Sequence, residues 1–230
     1  GVIQGVKKSA DQFAIELKRI NDLSQYPAFS LQQDDEMLLE PDAGFLLPEK
    51  SIALFIQQAI KKGADIKTGE KVTGWKRENG IIKVSTGKGY YTAKKLIITA
   101  GAWASATIKE LKVPLKVTRQ VIVWVEPDNP ADFLPEKFPC WLVAGSTIKG
   151  AWYGFPYLSG EQFPGPAGLK FALHYPGNET DPDHVNREVS EEEVRTLITA
   201  AKKYFVPAGS PVTTVKTCLY TNTTDEHFII

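Results

Sequence analysis

Apolar residues recur at helical spacing from Gly5 to Lys18, where Val6, Ala10, Phe13, Ala14 and Leu17 share one side and predict an amphipathic helix. Glu40 to Leu46 reads as strand, turn and strand, because Pro41, Asp42 and Gly44 cluster between apolar residues. Pro48 and Glu49 open a second helix through Ile52, Phe55, Ile56, Ala59 and Ile60, closed by Lys61-Lys62 with Gly63 at the C-cap. From Ala64 the period switches to two. Asp65 to Lys67, Val72 to Trp75, Ile81 to Ser85 and Tyr90 to Thr92 are expected strands, with Glu78-Asn79-Gly80 and Gly87-Lys88-Gly89 as turns. Lys95 to Thr99 reads as an apolar strand that breaks at Gly101 before a helix reaching Leu111.

Beyond Pro114 the pattern is mostly strands. Val117 to Val125, Trp141 to Ala144, Gly150 to Pro156, Gly168 to His174 and Thr213 to Tyr220 all fit, and Ser159 to Gly168 is a glycine- and proline-rich loop. Ser190-Glu191-Glu192-Glu193 forms a capping box for a helix along Val194, Leu197, Ala200, Ala201 and Tyr204. Phe228-Ile229-Ile230 reads as a strand just beginning. Together these elements predict an α+β fold in at least two regions, with a small antiparallel β-meander and a mostly antiparallel main sheet.

Composition narrows the function classes. Of 230 residues, 43% are hydrophobic and 23% charged, and 27 basic residues balance 27 acidic ones. Zero formal net charge with interspersed signs gives no field to draw nucleic acid or an anionic membrane, so neither is an expected partner. The longest apolar runs fall far short of the ~20 residues of a membrane helix. Cys140 and Cys218 are the only cysteines, too few for a disulfide scaffold, and a reducing, cytoplasmic setting is expected.

Chemistry-bearing residues are sparse. Lys170 and His174 lie four apart in a strand and share a face; they form either an acid–base or anion-stabilising pair, or a solvated strand face. Cys218 and Tyr220 share a face too, and a lone cysteine in such a strand is commonly a small core residue. The three histidines are scattered and no cysteine pair has metal-ligand spacing, so no metal site is expected. P-loop, G-x-S-x-G and G-x-G-x-x-G patterns are absent.

The ordered set of segments carries more information than any one of them. Glu40-Pro41-Asp42-Ala43-Gly44-Phe45-Leu46, Lys62-Gly63-Ala64, Val72-Thr73-Gly74-Trp75 and Ile98-Thr99-Ala100-Gly101-Ala102-Trp103 come first. Arg119-Gln120 with Trp124, Tyr153-Gly154-Phe155-Pro156, Gly168-Leu169-Lys170 with His174, Asp181-Pro182-Asp183, Asn186-Arg187-Glu188 and Cys218-Leu219-Tyr220-Thr221 follow. Closing the order, Asp225 to Ile230 completes a series that resembles the monomeric sarcosine oxidase and N-methyl amino acid oxidase family, the FAD-dependent D-amino acid oxidase group. The resemblance implies an antiparallel substrate domain over 1–47 and 113–217, and a partial, Rossmann-like FAD-binding domain over 48–112 and 218–230. It also implies that the chain is the central portion of a longer oxidase, lacking the family's pyrophosphate turn and its C-terminal segment, and that it is inactive and weak in FAD binding by itself.

The same resemblance implies roles. Cys218 matches the cysteine that forms a thioether to the flavin, Lys170 the lysine near flavin N5 that assists reaction with oxygen, and His174, Tyr220 and Tyr153 the residues around the amine. Val72 and Ala100-Gly101 match backbone positions that approach FAD, although Gly101 also suits an ordinary turn. Trp103 and Trp124 read as core. The implied reaction is oxidation of a secondary or N-methylated amino acid by FAD and oxygen, giving an imine and hydrogen peroxide; Arg119 is not assigned to the substrate carboxylate. Two alternatives are a flavin dehydrogenase with another electron acceptor and a non-catalytic ligand-binding domain. The substrate's identity and the oligomeric state are left open. The oxidase reading requires the thiol, the ammonium group and the imidazole to gather around one hollow sized for an isoalloxazine ring.

Overall fold

The capping box predicted at Ser190 forms: its Oγ accepts from the backbone N–H of Glu193, while the Glu193 carboxylate accepts from the backbone N–H of Ser190. In the computed structural model, which describes residues 1–108, 113–145, 149–160, 163–175, 177–205 and 211–229, this box opens one of four α-helices. Along the described chain run α1 (Val2–Phe13), β1 (Lys18–Ile20), β2 (Met37–Leu39), α2 (Pro48–Lys61), β3 (Val72–Glu78), β4 (Ile81–Thr86) and β5 (Gly89–Ala93). A 3-10 turn (Gly101–Trp103) and α3 (Ala104–Thr107) follow, then β6 (Lys116–Val125), a second 3-10 turn (Pro130–Phe133), β7 (Trp141–Ala144) and β8 (Ala151–Leu158). The series closes with β9 (Gly168–Tyr175), β10 (Asn178–Glu179), α4 (Glu191–Tyr204) and β11 (Val212–Asn222).

Two units divide the chain. The first comprises Gly1–Leu47, Arg119–Asn178 and Val185–Cys218; the second comprises Pro48–Thr118, Glu179–His184 and Leu219–Ile230.

In the first unit the main sheet runs β6-β9-β8-β7, antiparallel throughout, with β10 and β11 also paired to β6. Strand alternation gives this sheet two different faces. On one, Val123, Val125, Leu169, Phe171 and Trp152 meet Leu197, Ala200, Ala201 and Tyr204 of α4, with Phe133, Phe138 and Phe205 filling the gaps. Val123, Val125, Leu169 and Phe138 have no exposed surface, so this is the main core. The opposite face carries Ile122, Trp124 and Ala172, with Tyr153 and Cys218 packed against them. A register shift between Gly154 and Tyr157 interrupts the alternation of β8, which is why Tyr153 lies on the second face while Tyr157 packs on the core. Gly154 has a separate role: a Cβ built there would lie 2.4 Å from Trp141 Cζ2, so only glycine lets that indole cross β8.

Arg119, 8% exposed, ties the segment before α4 to the sheet. Its guanidinium donates to the carbonyls of Asn186 (2.6 Å) and Glu188 (2.5 Å) and pairs with the Glu193 carboxylate at 2.5 Å.

In the second unit β3-β4-β5 form the expected antiparallel meander. Its first turn has Asn79 at φ 50° and Gly80 at φ 80°, both left-handed as a tight hairpin requires. Helix α2 ends as its sequence predicts, with Gly63 at φ 88° and the Ala64 N–H bonded back to Ala59 O at 3.0 Å.

Several expected elements differ. The first helix stops at Phe13 because Ala14 turns left-handed (φ 54°), so Leu17 lies beyond it, and β1 then pairs with β2. The turn at Glu40 is present, but Gly44 to Leu46 is not a strand; Leu46 is 80% exposed, while Phe45 sets its ring against Phe155. Asp65 to Lys67 offers one apolar residue, Ile66, which stays exposed, and no ladder forms there. Lys95 to Thr99 is also not a strand: a strand exists through pairing, no partner runs beside it among the described residues, and Ile97 is 87% exposed. Phe228 and Ile229 are exposed and unpaired in any ladder, and Ile230 lies outside the described residues, as do residues 109–112 of the helix expected to reach Leu111 and residues 161–162 of the long loop.

Candidate active site

Alternation along β9 sends Lys170, Ala172 and His174 to the face away from α4. Trp124 of β6 is the direct cross-strand partner of Lys170, and Ala172 is the partner of both Ile122 and Tyr153. Lys170 Nζ stands 5.4 Å from the Trp124 ring centroid and 5.0 Å from that of Phe155, a cation over two aromatic faces. Tyr153 meets His174 edge to face at 5.9 Å and Phe155 in the same manner at 5.8 Å; Phe45 continues the strip at 6.0 Å from Phe155.

Cys218, half-buried on β11, packs against the Ile122, Trp124 and Ala172 cluster. Burial pushes its thiol above the ordinary thiol range, and the positive charge of Lys170 draws it part of the way back. Lys170, His174, Tyr153 and Cys218 therefore share one face of one sheet. In flavin-free protein, alkylation by iodoacetamide should accordingly be slow at neutral pH and rise only in alkaline solution. Lys170→Met should move that rise to still higher pH, and a thiol reacting like free cysteine at neutral pH would contradict this environment.

The other predicted site residues, Tyr220, Val72, Ala100 and Gly101, belong to the second unit. Tyr220 lies two residues beyond Cys218 on β11, in the stretch belonging to the second unit. Val72, at the start of β3, is 48% exposed, and its pairing to Thr86 is followed by a register shift. Ala100 precedes the turn in which Gly101 adopts φ 55°. A Cβ on Gly101 would meet nothing within 4 Å among the described residues, so it is the left-handed backbone that calls for glycine there. Trp103, read as core, is 42% exposed and donates its indole N–H to Asp183 at 2.9 Å. Trp124 is buried as expected, yet on the face that carries Lys170.

Sequence reasoning passed over Phe45, Phe155 and Lys216 as part of this face. The signal for Phe155 was its place two residues from Tyr153 in a strand; the signal for Lys216 was its place two before Cys218. Two cavities, of about 360 Å³ along α4 and about 550 Å³ beside α1, include none of the predicted site residues. Among the described residues no three His, Cys, Asp or Glu side chains gather as a metal site, and no helix is long and apolar enough to cross a membrane.

Over 207 residues the chain is 30% identical to monomeric sarcosine oxidase of Streptomyces avermitilis, covering 90% of this chain and 53% of that protein. It is 26% identical to N-methyl-L-tryptophan oxidase of Yersinia pestis, covering 99% and 60%. The chain thus spans between about half and three-fifths of the length of these relatives. Its fold matches that of NikD, an unusual amino acid oxidase essential for nikkomycin biosynthesis, with a TM-score of 0.76 at 20% identity over 97% of this chain and 57% of that one. The model of the FAD dependent oxidoreductase family matches residues 9–230, and the chain belongs to that family.

Proposed function

We propose that the protein containing this chain is a flavoprotein oxidase that converts a secondary or N-methylated amino acid to an imine, with oxygen as final electron acceptor and hydrogen peroxide as product. The observation that carries this reading is the convergence of Lys170, Tyr153, His174 and Cys218 on one aromatic-lined sheet face. The first unit is then the substrate domain, and the second is part of the FAD-binding domain.

The donor set on this face fits an isoalloxazine ring. Trp124, Phe155 and Tyr153 supply apolar surface, Lys170 a fixed positive charge, and Cys218 a half-buried thiol able to form a thioether. When bound, FAD accepts a hydride from the substrate carbon and delivers electrons to oxygen. Lys170 stabilises the negative charge that develops on oxygen; its aromatic surroundings exclude water and so strengthen the effect. Tyr153 and His174, in ring contact, orient the amine so that its C–H bond is aimed at the acceptor. Tyr220 lines the same reaction space, Cys218 tethers the ring, and Val72, Ala100 and Gly101 are the backbone positions toward the nucleotide.

The test is oxygen uptake and peroxide release by the full-length protein supplied with sarcosine and a series of N-methyl amino acids. Stoichiometric peroxide is expected. Substrate-dependent reduction of an artificial acceptor without oxygen uptake would overturn the oxidase assignment in favour of a dehydrogenase.

A further inference from the structure

Asp181-Pro182-Asp183 is a motif to which the oxidase reading gives no task. It folds as a β-turn, in which the His184 N–H donates to the Asp181 carbonyl at 3.1 Å and proline takes the second position. The Asp181 carboxylate closes the same turn: it accepts from the Asp183 N–H at 2.9 Å and meets His184 Nδ1 at 2.7 Å. Just before it, the Thr180 N–H donates to the Val117 carbonyl at 2.9 Å, which fastens the turn to the first residues of β6. Asp183 thus offers its carboxylate from a fixed backbone, and that carboxylate accepts the indole N–H of Trp103 at 2.9 Å. Trp103 ends the 3-10 turn that begins at Gly101; its backbone N–H bonds to the Ala100 carbonyl at 3.0 Å, and its carbonyl accepts from Thr107 Oγ1 at 2.8 Å. The Thr107 carbonyl in turn accepts the indole N–H of Trp75 on β3 at 3.0 Å. All of these residues belong to the second unit. With 42% of its surface exposed, Trp103 is not a core residue, and its indole ties a left-handed glycine turn (Gly101, φ 55°) to a carboxylate 80 positions away in sequence.

We propose that Trp103 and Asp183 form a clamp that holds the Ala100-Gly101 backbone in the shape that receives FAD. This rests on the assignment of those two residues to the nucleotide side of the cofactor. A Cβ built on Gly101 would meet nothing within 4 Å among the described residues, so the turn can be approached closely from that side. Small residues have no side chains with which to fix a left-handed turn. The two bonds at Trp103, one through its carbonyl and one through its indole, restrict that freedom before the cofactor arrives and so lower the ordering cost of binding. Trp103 and Asp183 are positioning residues in this scheme and take no part in electron transfer.

The test is titration of FAD, followed by flavin fluorescence, into the full-length protein carrying Cys218→Ser, in which the cofactor exchanges freely. Trp103→Phe and Asp183→Ala should each weaken FAD binding on the order of five- to tenfold, the effect of losing one hydrogen bond. Asp183→Asn keeps an acceptor for the indole and should restore most of the affinity. The double variant Trp103→Phe with Asp183→Ala should bind almost as well as either single one, since both changes remove the same bond. Gly101→Ala strains the turn itself and is the reference: it should weaken FAD binding with or without the clamp. Weakened binding in Gly101→Ala, with parental affinity in Trp103→Phe and Asp183→Ala, would overturn the inference and leave the assignment of the turn intact. Parental affinity in all three would remove that assignment and the inference with it. Losses that add in the double variant and persist in Asp183→Asn would also overturn it, because they would reflect two independent structural effects and no shared bond.

Discussion

Replacing Lys170 by methionine should slow reaction of the reduced full-length protein with oxygen by about 10²–10³-fold, the usual effect of removing one preorganised charge or donor from a developing anion. Methionine keeps the length and apolar packing of the lysine stem against Trp124 and Phe155 and removes only the charge. The loss should therefore fall on the oxidative half of the cycle, which stopped-flow mixing of anaerobically reduced protein with oxygenated buffer isolates. Reoxidation at the wild-type rate would show that Lys170 is one more residue of a solvated strand. Because Lys170 also lowers the ionisation range of the Cys218 thiol, the variant carries an internal control. Measured on flavin-free protein, displaced reactivity of the Cys218 thiol shows that the charge has been removed from the site even if the oxygen reaction of the flavin-loaded variant is unaffected.

Arg119→Met should have the largest effect on stability, about 1–3 kcal/mol, because a buried guanidinium is removed from its acceptors while the Glu193 carboxylate, 31% exposed, can still reach water. The guanidinium supplies donors to two backbone carbonyls and one carboxylate, and an aliphatic replacement leaves all three acceptors without them. A second signature comes from Glu193. Burial raises its ionisation range, but the hydrogen bonds from Arg119 and from the backbone and side chain of Ser190 outweigh burial and hold it below the ordinary value. A carboxyl depressed on folding contributes stability above its unfolded range, and that contribution disappears as pH falls through the lower folded value. Urea unfolding of the wild type should thus lose part of its stability below about pH 4.5, the ordinary range of a glutamate, and Arg119→Met should lose less over the same interval. Parallel pH profiles would mean that Arg119 does not stabilise the ionised Glu193 carboxylate.

How far the sequence revealed this arrangement depended on what each signal encodes. Local rules sufficed for α2, the Asn79-Gly80 hairpin and the Ser190 box, since in each the determining residues lie within a few positions of one another. They failed for Lys95 to Thr99 and Asp65 to Lys67, whose patterns suit a strand but whose pairing depends on chain far away in sequence. The Lys170 and His174 pair was legible from period-two spacing within one strand. Its company was not, because Trp124, Phe155, Phe45 and Lys216 reach it through cross-strand register and through the shift in β8 that redirects Tyr157. Trp124 shows the ambiguity best: burial made it look like core, and it is buried, but on the face that carries Lys170. Arg119 shows the reverse, an arginine placed to organise the fold and occupied in doing so.

The central claim is that the sheet face bearing Lys170, Tyr153, His174 and Cys218 is where the flavin ring rests. The most direct measurement is to unfold the full-length protein, digest it, and weigh the peptide that contains Cys218. The account predicts that this peptide carries the added mass of the flavin and that Cys218→Ser abolishes the attachment. Flavin covalently attached to a peptide from another part of the chain, with the Cys218 thiol unmodified, would contradict it.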